Sequence, residues 1–353
     1  MSLDRKNLIQ LAKIVTNANP TSGTKYSFNN ETYDYSVLNE TLRNEFKELA
    51  GTPALYRENK NTIFSIIEEV IDDVLPKQVM AQYGDFAEVK TFAQGDKPVF
   101  IQKITAKSKR RARKFITKVG LAGRYEVFKL DGTKIEVPTS AYGGAAQIGF
   151  EEYLDGTADW AALIDAVNEG LDYSLYSEIE KALIASIATL PVANKYSGAG
   201  FNEAIMDSLL AVADSYGPAT IYCTFDFAAT MIPANSNAWS DNMKDTKWNN
   251  GYLGNYKGHR VVVLNQSFTD ETNAVKVIDP SHAWIIPAGT DGKPVKIALE
   301  GQTCVRESEN EDWSRDIQVY KKMGVATLGA YNNNMCVYTN TNLVKEVSLP
   351  YQG

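Results

Sequence analysis

The feature that most constrains this fold is a separation of charge along the chain. From Ile101 to Arg124 the sequence contains nine lysines and arginines and no acid. From residue 135 to residue 180 it contains ten acids and no base. The basic stretch has little apolar surface on any continuous face, so it cannot easily form a core of its own. We therefore expect it to project from the chain and to lie on another surface.

Two surfaces can receive the basic stretch: the acidic stretch of the same chain, or that of a neighbouring copy. A head-to-tail contact between copies, repeated around a ring, closes that ring. Complementary charge of this kind steers association and fixes register more than it adds affinity. A solvated basic face without a partner is the third possibility. For the contact between copies we predict the bases Lys107, Lys109, Arg110, Arg111, Arg113 and Lys114 and the acids Glu151, Glu152, Asp155 and Asp159.

Nucleic acid is a less favoured partner for the basic stretch. The whole chain has a formal net charge of -7, whereas a nucleic-acid-binding domain gathers positive charge over its fold. The basic stretch also has few aromatic side chains on which bases could stack. A nucleic-acid-binding protein therefore remains an alternative to the assembly function considered below.

Residues 85–140 have the alternation and the β-branched content of strands. The strand-like segments are "AEVKTF", "PVFIQKIT", "KFITKVG", "RYEVFKL" and "KIEVP". Asp131-Gly132 separates the last two and predicts a hairpin, because a type I′ turn needs positive φ.

Periodic apolar residues predict helices at about 4–16 and 34–50. We expect a third helix to be capped by Asn61 or Thr62 and to end at Pro76. The longest helix is predicted from Thr157 to Leu190, where apolar residues form a nearly continuous stripe.

Residues 200–340 mix helices and strands without regular β-α-β order, which indicates an α+β fold. Strand-like segments here are "ATIYCTF", "HRVVVLN", "AVKVID", "AWIIPA" and "VKIALEG". We expect residues 236–258 to form a long loop of polar and aromatic residues.

Neither catalysis nor metal binding is indicated by any motif. The sequence has no phosphate-binding loop, dinucleotide fingerprint, serine-hydrolase elbow or H-E-x-x-H pattern. Two histidines and three scattered cysteines argue against a triad, a zinc site or a disulfide framework. We predict that the protein is not an enzyme and has no catalytic residue, no cofactor and no metal.

Membrane insertion and secretion are not predicted either. No run of apolar residues approaches the 18 that a spanning helix needs. The N-terminal segment "MSLDRKNLIQLAKIV" mixes charge into its apolar positions, unlike a secretion signal. The scattered cysteines suit a reducing cytoplasm.

The order of these elements resembles that of the major capsid proteins of tailed bacteriophages, a fold shared with encapsulins and the herpesvirus capsid floor. The resemblance begins with an N-terminal arm, a helix and a long basic extension. It continues with "AYGGAAQIGFEEYLDG", the helix from Thr157, "ATIYCTFDFAATMI", "GNYKGHRVVVLN" and "RDIQVYKKMGVATLGAYN". The ordered set spans nearly the whole chain, and no single motif in it is diagnostic.

The resemblance implies four parts: an N-terminal arm, a hairpin called the E-loop that crosses onto a neighbour, a peripheral domain with a long spine helix, and an axial domain. The implied boundaries are arm 1–60; peripheral domain 61–95, 141–200 and 301–330; E-loop 96–140; axial domain 201–300; and axial end with C-terminal tail 331–353. Loops of the axial domain meet at the symmetry axis of the capsomer in that family. The candidate axial-loop residues are Trp239, Asp241, Lys244, Trp248 and Tyr252.

By resemblance, the function is to build an icosahedral phage head from pentamers and hexamers around double-stranded DNA. The implied partners are copies of the chain, a portal and, because only about sixty residues precede the first core helix, a separate scaffolding protein. DNA would be met by non-specific proximity, and no membrane is involved. The implied location is the virion capsid, assembled in the cytoplasm of a bacterial host. An encapsulin-like compartment is the alternative, and the N-terminal arm favours the phage branch.

Overall fold

A computed structural model describes residues 4–18, 24–102, 133–148, 160–232, 239–269, 271–287, 293–309, 315–327 and 335–347. The helices in these ranges are α1 Arg5–Asn17, α2 Tyr35–Ala50, α3 Pro53–Tyr83, α4 Trp160–Ile187, α5 Glu203–Asp214, α6 Phe225–Thr230 and α7 Asp241–Asn250, with a 3₁₀ turn at Val192–Asn194. The strands are β1 Tyr26–Phe28, β2 Glu31–Tyr33, β3 Ala87–Phe92, β4 Val99–Gln102, β5 Thr133–Glu136, β6 Ser140–Ile148, β7 Lys195–Gly198, β8 Ala219–Thr224, β9 Asn255–Tyr256, β10 His259–Leu264, β11 His282–Pro287, β12 Val295–Glu309, β13 Arg315–Thr327 and β14 Cys336–Asn340. The predicted α+β class is confirmed. Within the described ranges, no helix is long and apolar enough to cross a membrane.

The chain divides into two compact units. Unit 1 comprises Met1–Pro98, Val137–Tyr176 and Ile297–Val325. Unit 2 comprises Val99–Glu136, Ser177–Lys296 and Ala326–Gly353. Each unit is therefore assembled from segments that are far apart in sequence.

Three helices form the apolar core of unit 1. The helices α1 and α2 both contact α3, and Leu11, Phe46 and Ile67 are fully buried among them. Apolar residues recur every three or four positions in α1 and α2, so each helix buries one stripe and leaves the other face in water. Burying an aliphatic or aromatic side chain of this size contributes about 1.5–3 kcal/mol.

The helix α3 is longer at both ends than its sequence predicts. It begins after Thr52, whose side-chain oxygen accepts a hydrogen bond from Leu55 N at 3.3 Å, with Pro53 at the first helical position. A proline is favoured there because its fixed φ suits a helix start. The helix also continues through Pro76, although an internal proline costs about 3 kcal/mol. The fully buried side chains around it, such as Leu75 and Val79, offset that cost.

A four-stranded sheet, in the order β3-β12-β13-β6, completes unit 1. Half-buried carboxylates of α3 tie this helix to the sheet. The carboxylate of Glu68 accepts a hydrogen bond from Val305 N at 2.8 Å. The carboxylate of Asp72 accepts hydrogen bonds from Thr303 N at 3.0 Å and from Lys321 Nζ at 2.6 Å. Glu68 and Asp72 are four residues apart and therefore lie on the same face of α3, toward the sheet.

Unit 2 is centred on a six-stranded sheet in the order β7-β14-β11-β8-β10-β9. The strands β8 and β10 run parallel, while β11 is antiparallel to β8. Buried side chains from both the sheet and α5, including Ile221, Ile285, Tyr338 and Met206, make one apolar cluster. The segment "AVKVID" was predicted as a strand, but it contains only isolated bridges at Val275 and Lys276.

Candidate assembly surface

Five of the residues that the sequence predicts at contacts between copies lie in the described part of the chain: Trp239, Asp241, Lys244, Trp248 and Tyr252. The six bases between 107 and 114 and the four acids between 151 and 159 lie outside the described residues. Their pairing therefore stays a prediction. The candidate surface is built from residues 239–256 and the elements that hold them.

The predicted loop at 236–258 contains the helix α7, so that expectation was wrong in its secondary structure. Ser240 starts the helix, since its side-chain oxygen accepts a hydrogen bond from Met243 N at 3.3 Å. Gly251 ends it with a φ of 79°, which glycine adopts without steric cost. Asp241 lies in the first turn, and Lys244 Nζ is 3.0 Å from its carboxylate. Serine and glycine at these positions were the sequence signal for the helix.

The helix α7 has no buried residue. Trp248 is 90% exposed, the highest value among the exposed large hydrophobic side chains of the described residues. A ten-residue helix is only marginally stable alone in water, and a helix that is polar on all faces gains little from packing. The order of α7 therefore depends on contacts at its two ends.

Aromatic contacts secure those ends. Lys247 Nζ lies 5.0 Å from the centroid of the Trp239 ring, a cation–π distance. Phe225 and Tyr252 meet edge to face with their centroids 6.1 Å apart, and Phe225 remains 48% exposed. We define the α7 surface as Asp241–Asn250 together with Phe225 and Tyr252.

The sheet of unit 2 gives the α7 surface a rigid base. Phe225 directly follows β8, a strand with neighbours on both sides. Tyr252 comes shortly before β9, which pairs with β10. A Cβ atom added at Gly251 would lie 2.6 Å from Cζ of Phe225. Gly251 is thus required both by its φ and by the closeness of the phenyl ring.

Ionisable groups next to β9 are held in their protonated forms. Lys257 Nζ lies 2.5 Å from Asp207 and 2.7 Å from Glu203. These hydrogen bonds raise the pKa of Lys257 above its ordinary value. Burial, followed by the charge of Asp207, raises the pKa of Tyr256 to about 12. Neither group can act as a base near neutral pH.

The buried carboxylate of Glu300 has a structural role. It accepts hydrogen bonds from the Thr139 hydroxyl and from Gly95 N. These two contacts hold the pKa of Glu300 below its ordinary value. Across the described ranges, no group of three or more His, Cys, Asp or Glu side chains is arranged to hold a metal ion.

The family model described as "SPbeta prophage-derived putative capsid protein YonB" matches residues 7–338. The chain belongs to this family. YonB-family membership confirms the resemblance to phage capsid proteins that the order of elements suggested. It makes the chain a structural protein of a phage capsid, and hence a component of the virion. No curated protein matches the sequence significantly.

Several solved structures are similar to the chain at low sequence identity. The structure titled "Mycobacterium phage Che8" has 13% identity and a TM-score of 0.45, covering 70% of this chain and 86% of that chain. The mature capsid of bacteriophage PhiM1 has 10% identity and a TM-score of 0.45, covering 74% and 87%. The SrpI encapsulin of Synechococcus elongatus PCC 7942 has 10% identity and a TM-score of 0.42, covering 74% and 88%. Because these scores lie below 0.5, the family assignment rests on the family model.

Proposed function

We propose that this protein is the major capsid protein of a tailed phage, forming the pentamers and hexamers of an icosahedral head around double-stranded DNA. The observation that carries the proposal is the YonB-family match, which extends over residues 7–338. The arm, E-loop, peripheral and axial domains with their predicted boundaries are part of this proposal. So are a portal, a separate scaffolding protein and assembly in the host cytoplasm.

The basic and acidic stretches provide the proposed lateral contact. In this arrangement Lys107–Lys114 of one copy meets Glu151, Glu152, Asp155 and Asp159 of the next. An exposed ion pair contributes only about 0.2–1 kcal/mol, so single substitutions should be nearly silent. The sum matters because the contact repeats many times in one shell.

Charge reversal tests this contact. Reversing Arg110, Arg111 and Arg113 to glutamate should block or slow assembly, most strongly at low salt where screening is weak. Reversing Glu151, Glu152 and Asp155 to lysine in the same chain should restore part of it.

The control variant reverses three exposed bases of the N-terminal helices to glutamate: Lys6, Lys47 and Arg57. Its net charge therefore changes by the same amount as in the Arg110/Arg111/Arg113 variant. This control should assemble better than the Arg110/Arg111/Arg113 variant. The pairing is wrong if the doubly reversed chain assembles no better than either singly reversed chain while every subunit stays folded.

The α7 surface provides the proposed axial contact. Trp248 is the anchor, since a large aromatic side chain that is 90% exposed becomes buried when copies associate. Aromatic anchors of this kind contribute about 2 kcal/mol or more to an interface, which corresponds to roughly a thirtyfold change in dissociation constant. Asp241 and Lys244 then lie at the polar rim of the contact.

Trp248→Ala tests this contact against Val192→Ala, which removes a side chain that is 86% exposed elsewhere in unit 2. Both variant subunits should have the same free energy of unfolding as the wild type. Only Trp248→Ala should raise the concentration needed for assembly, as measured by light scattering and negative-stain microscopy. Equal assembly by the two variants would remove Trp248 from the interface.

A further inference from the structure

One dipeptide of the α7 surface carries a chemistry that its structural role does not use. Asn250 is the last residue of α7, and Gly251 follows it. The two form the only Asn-Gly pair in the sequence, and Asn250 is exposed to water. In such a pair the backbone nitrogen of the glycine can attack the side-chain amide of the asparagine, because glycine has no Cβ atom in the way.

The reaction is a loss of ammonia followed by the addition of water. Gly251 N forms a bond to Cγ of Asn250, the Cγ–Nδ2 bond breaks, and Nδ2 leaves as ammonia with the proton of the Gly251 N–H. The product is a five-membered succinimide ring. Water then opens this ring at one of its two carbonyl carbons, which leaves either aspartate or isoaspartate at position 250. Water is the only co-reactant.

The folded helix holds this reaction back. Gly251 N donates a hydrogen bond to Lys247 O at 2.8 Å, so the attacking nitrogen keeps its proton. Asn250 has a helical backbone, and the ring closes only after this residue leaves that conformation. Gly251 is also fixed, with a φ of 79°, against the ring of Phe225. The reaction therefore requires the C-terminal turn of α7 to open.

The turn opens at little cost in free energy. The helix α7 has no buried residue, so unwinding it exposes almost no apolar surface. A helix of this length is only marginally stable by itself in water. Segments with few buried contacts open locally, at a fraction of the free energy of global unfolding. The Asn250–Gly251 pair therefore lies where the backbone of a free subunit is most easily released.

We infer that Asn250 is a site of spontaneous deamidation, that the opening of α7 controls its rate, and that deamidation ends the ability of a free subunit to assemble. The third part rests on the proposed function, which places the α7 surface between copies. In an assembled copy α7 is covered, so Asn250 stays intact. The site thus limits the time for which an unassembled subunit remains competent.

The product damages the α7 surface in two ways. Aspartate and isoaspartate both place a carboxylate at the C-terminal end of α7, where the helix dipole disfavours negative charge. Isoaspartate also routes the main chain through its Cβ atom, which adds one carbon before Gly251. The hydrogen bond to Lys247 O and the packing of Phe225 on Gly251 then no longer fit. Trp248, two residues earlier, loses the helix that positions it.

Ageing of free subunits tests the chemistry. Wild-type subunits are kept below the concentration for assembly, at neutral pH and physiological temperature, and are sampled by peptide mass spectrometry. Isoaspartate is identified by its methylation with isoaspartyl methyltransferase. Asn250 should deamidate severalfold faster than Asn249 and Asn255, which are also exposed but precede asparagine and tyrosine. Comparable rates at the three asparagines would overturn the assignment of Asn250.

Ser240→Ala tests the control by α7. This change removes the hydroxyl that caps the start of the helix, and a lost N-cap destabilises a short helix. Deamidation of Asn250 should therefore become severalfold faster. Ser208→Ala makes the same substitution at an exposed position of α5 and should leave the rate unchanged. Equal rates in these two variants would show that α7 does not control the reaction.

Asn250→Gln tests the consequence for assembly. Glutamine retains the amide but would have to close a six-membered ring, which is much slower. Aged Asn250→Gln subunits should assemble at the same critical concentration as fresh ones, whereas aged wild-type subunits should need a severalfold higher concentration. Asn249→Gln is the matched control and should age like the wild type. The inference is wrong if aged Asn250→Gln loses as much competence as the wild type, or if fully deamidated subunits assemble like fresh ones.

The outcomes distinguish this inference from the proposed function. If fresh wild-type protein forms no shells under any condition, the proposed function fails, while the rates in wild-type, Ser240→Ala and Ser208→Ala subunits still decide the chemistry and its control. If shells form but Asn250 deamidates as fast within them as in free subunits, the inference fails and the shell-forming function stands.

Discussion

Replacing Asp72 with alanine should destabilise unit 1 more than any single change at its surface. The Asp72 carboxylate accepts hydrogen bonds from Lys321 Nζ at 2.6 Å, from Thr303 Oγ1 at 2.6 Å and from Thr303 N at 3.0 Å. Lys321 is only 3% exposed, and its other acceptor is Gly301 O at 2.6 Å. Removing the carboxylate therefore leaves an ammonium group buried without its counter-charge.

The expected loss in the free energy of unfolding is about 3–5 kcal/mol, the cost of breaking a buried ion pair from one side. The side chain of Asp72 is 25% exposed, so water reaches part of the site and the lower end of that range applies. Replacing both partners, as in Asp72→Leu with Lys321→Met, should recover most of the loss because no buried charge remains.

Asp73→Ala is the matched control on the same helix. Its carboxylate lies 2.8 Å from Lys77 Nζ and 3.3 Å from Lys13 Nζ, with 38% of the side chain exposed. The hydrogen bond from Lys77 holds the pKa of Asp73 below its ordinary value. Solvent screening limits the loss for such a pair to about 1 kcal/mol or less.

Urea unfolding of dissociated subunits at pH 7 measures both variants. Since m values scale with the surface exposed on unfolding, the midpoints convert to free energies in the same way. Equal losses for Asp72→Ala and Asp73→Ala, or a double variant no more stable than Asp72→Ala, would refute the assignment of Asp72 as the buried partner of Lys321.

Three further predictions concern titration, thiols and the α7 surface. Burial lowers the pKa of His282, with Asp279 opposing the shift. Since the folded-state pKa lies below the unfolded one, this contribution to stability is present above about pH 6.5 and is lost as pH falls through the folded-state pKa. His282→Gln should therefore make the melting temperature depend less on pH between 7.5 and 5. Burial raises the pKa values of Cys223 and Cys336 to about 12. Ellman's reagent should therefore modify only the half-exposed Cys304 in native protein. Rapid labelling of two or more thiols would contradict this. Gly251→Ala should speed amide exchange in α7, because its φ is 79° and Phe225 is in the way, whereas Gly254→Ala, in open space, should not; equal exchange in both would contradict the packing described.

The sequence predicts well those elements whose pattern reflects burial. The stripes of α1 and α2 follow from which face meets the core, and the apolar run of β8 belongs to a strand that is buried along nearly its whole length. The course of α3 was harder to predict because tertiary packing overrides a local signal. Pro76 is a helix breaker in isolation, and only the burial of its neighbours keeps the helix continuous.

The helix in the α7 surface was not predicted, and the place of this surface at a contact between copies stays a prediction. Trp239, Trp248 and Tyr252 attracted notice as aromatic residues in a polar segment, whereas the helix between them depends on Ser240 and Gly251 as caps. A helix without a buried residue has no apolar period to detect.

Negative-stain electron microscopy of the purified wild-type chain, over a range of protein and salt concentrations, tests the central claim most directly. We expect closed shells, or rings, tubes and sheets built from the same contacts, above a critical concentration. Discrete small particles at every concentration and salt would contradict it.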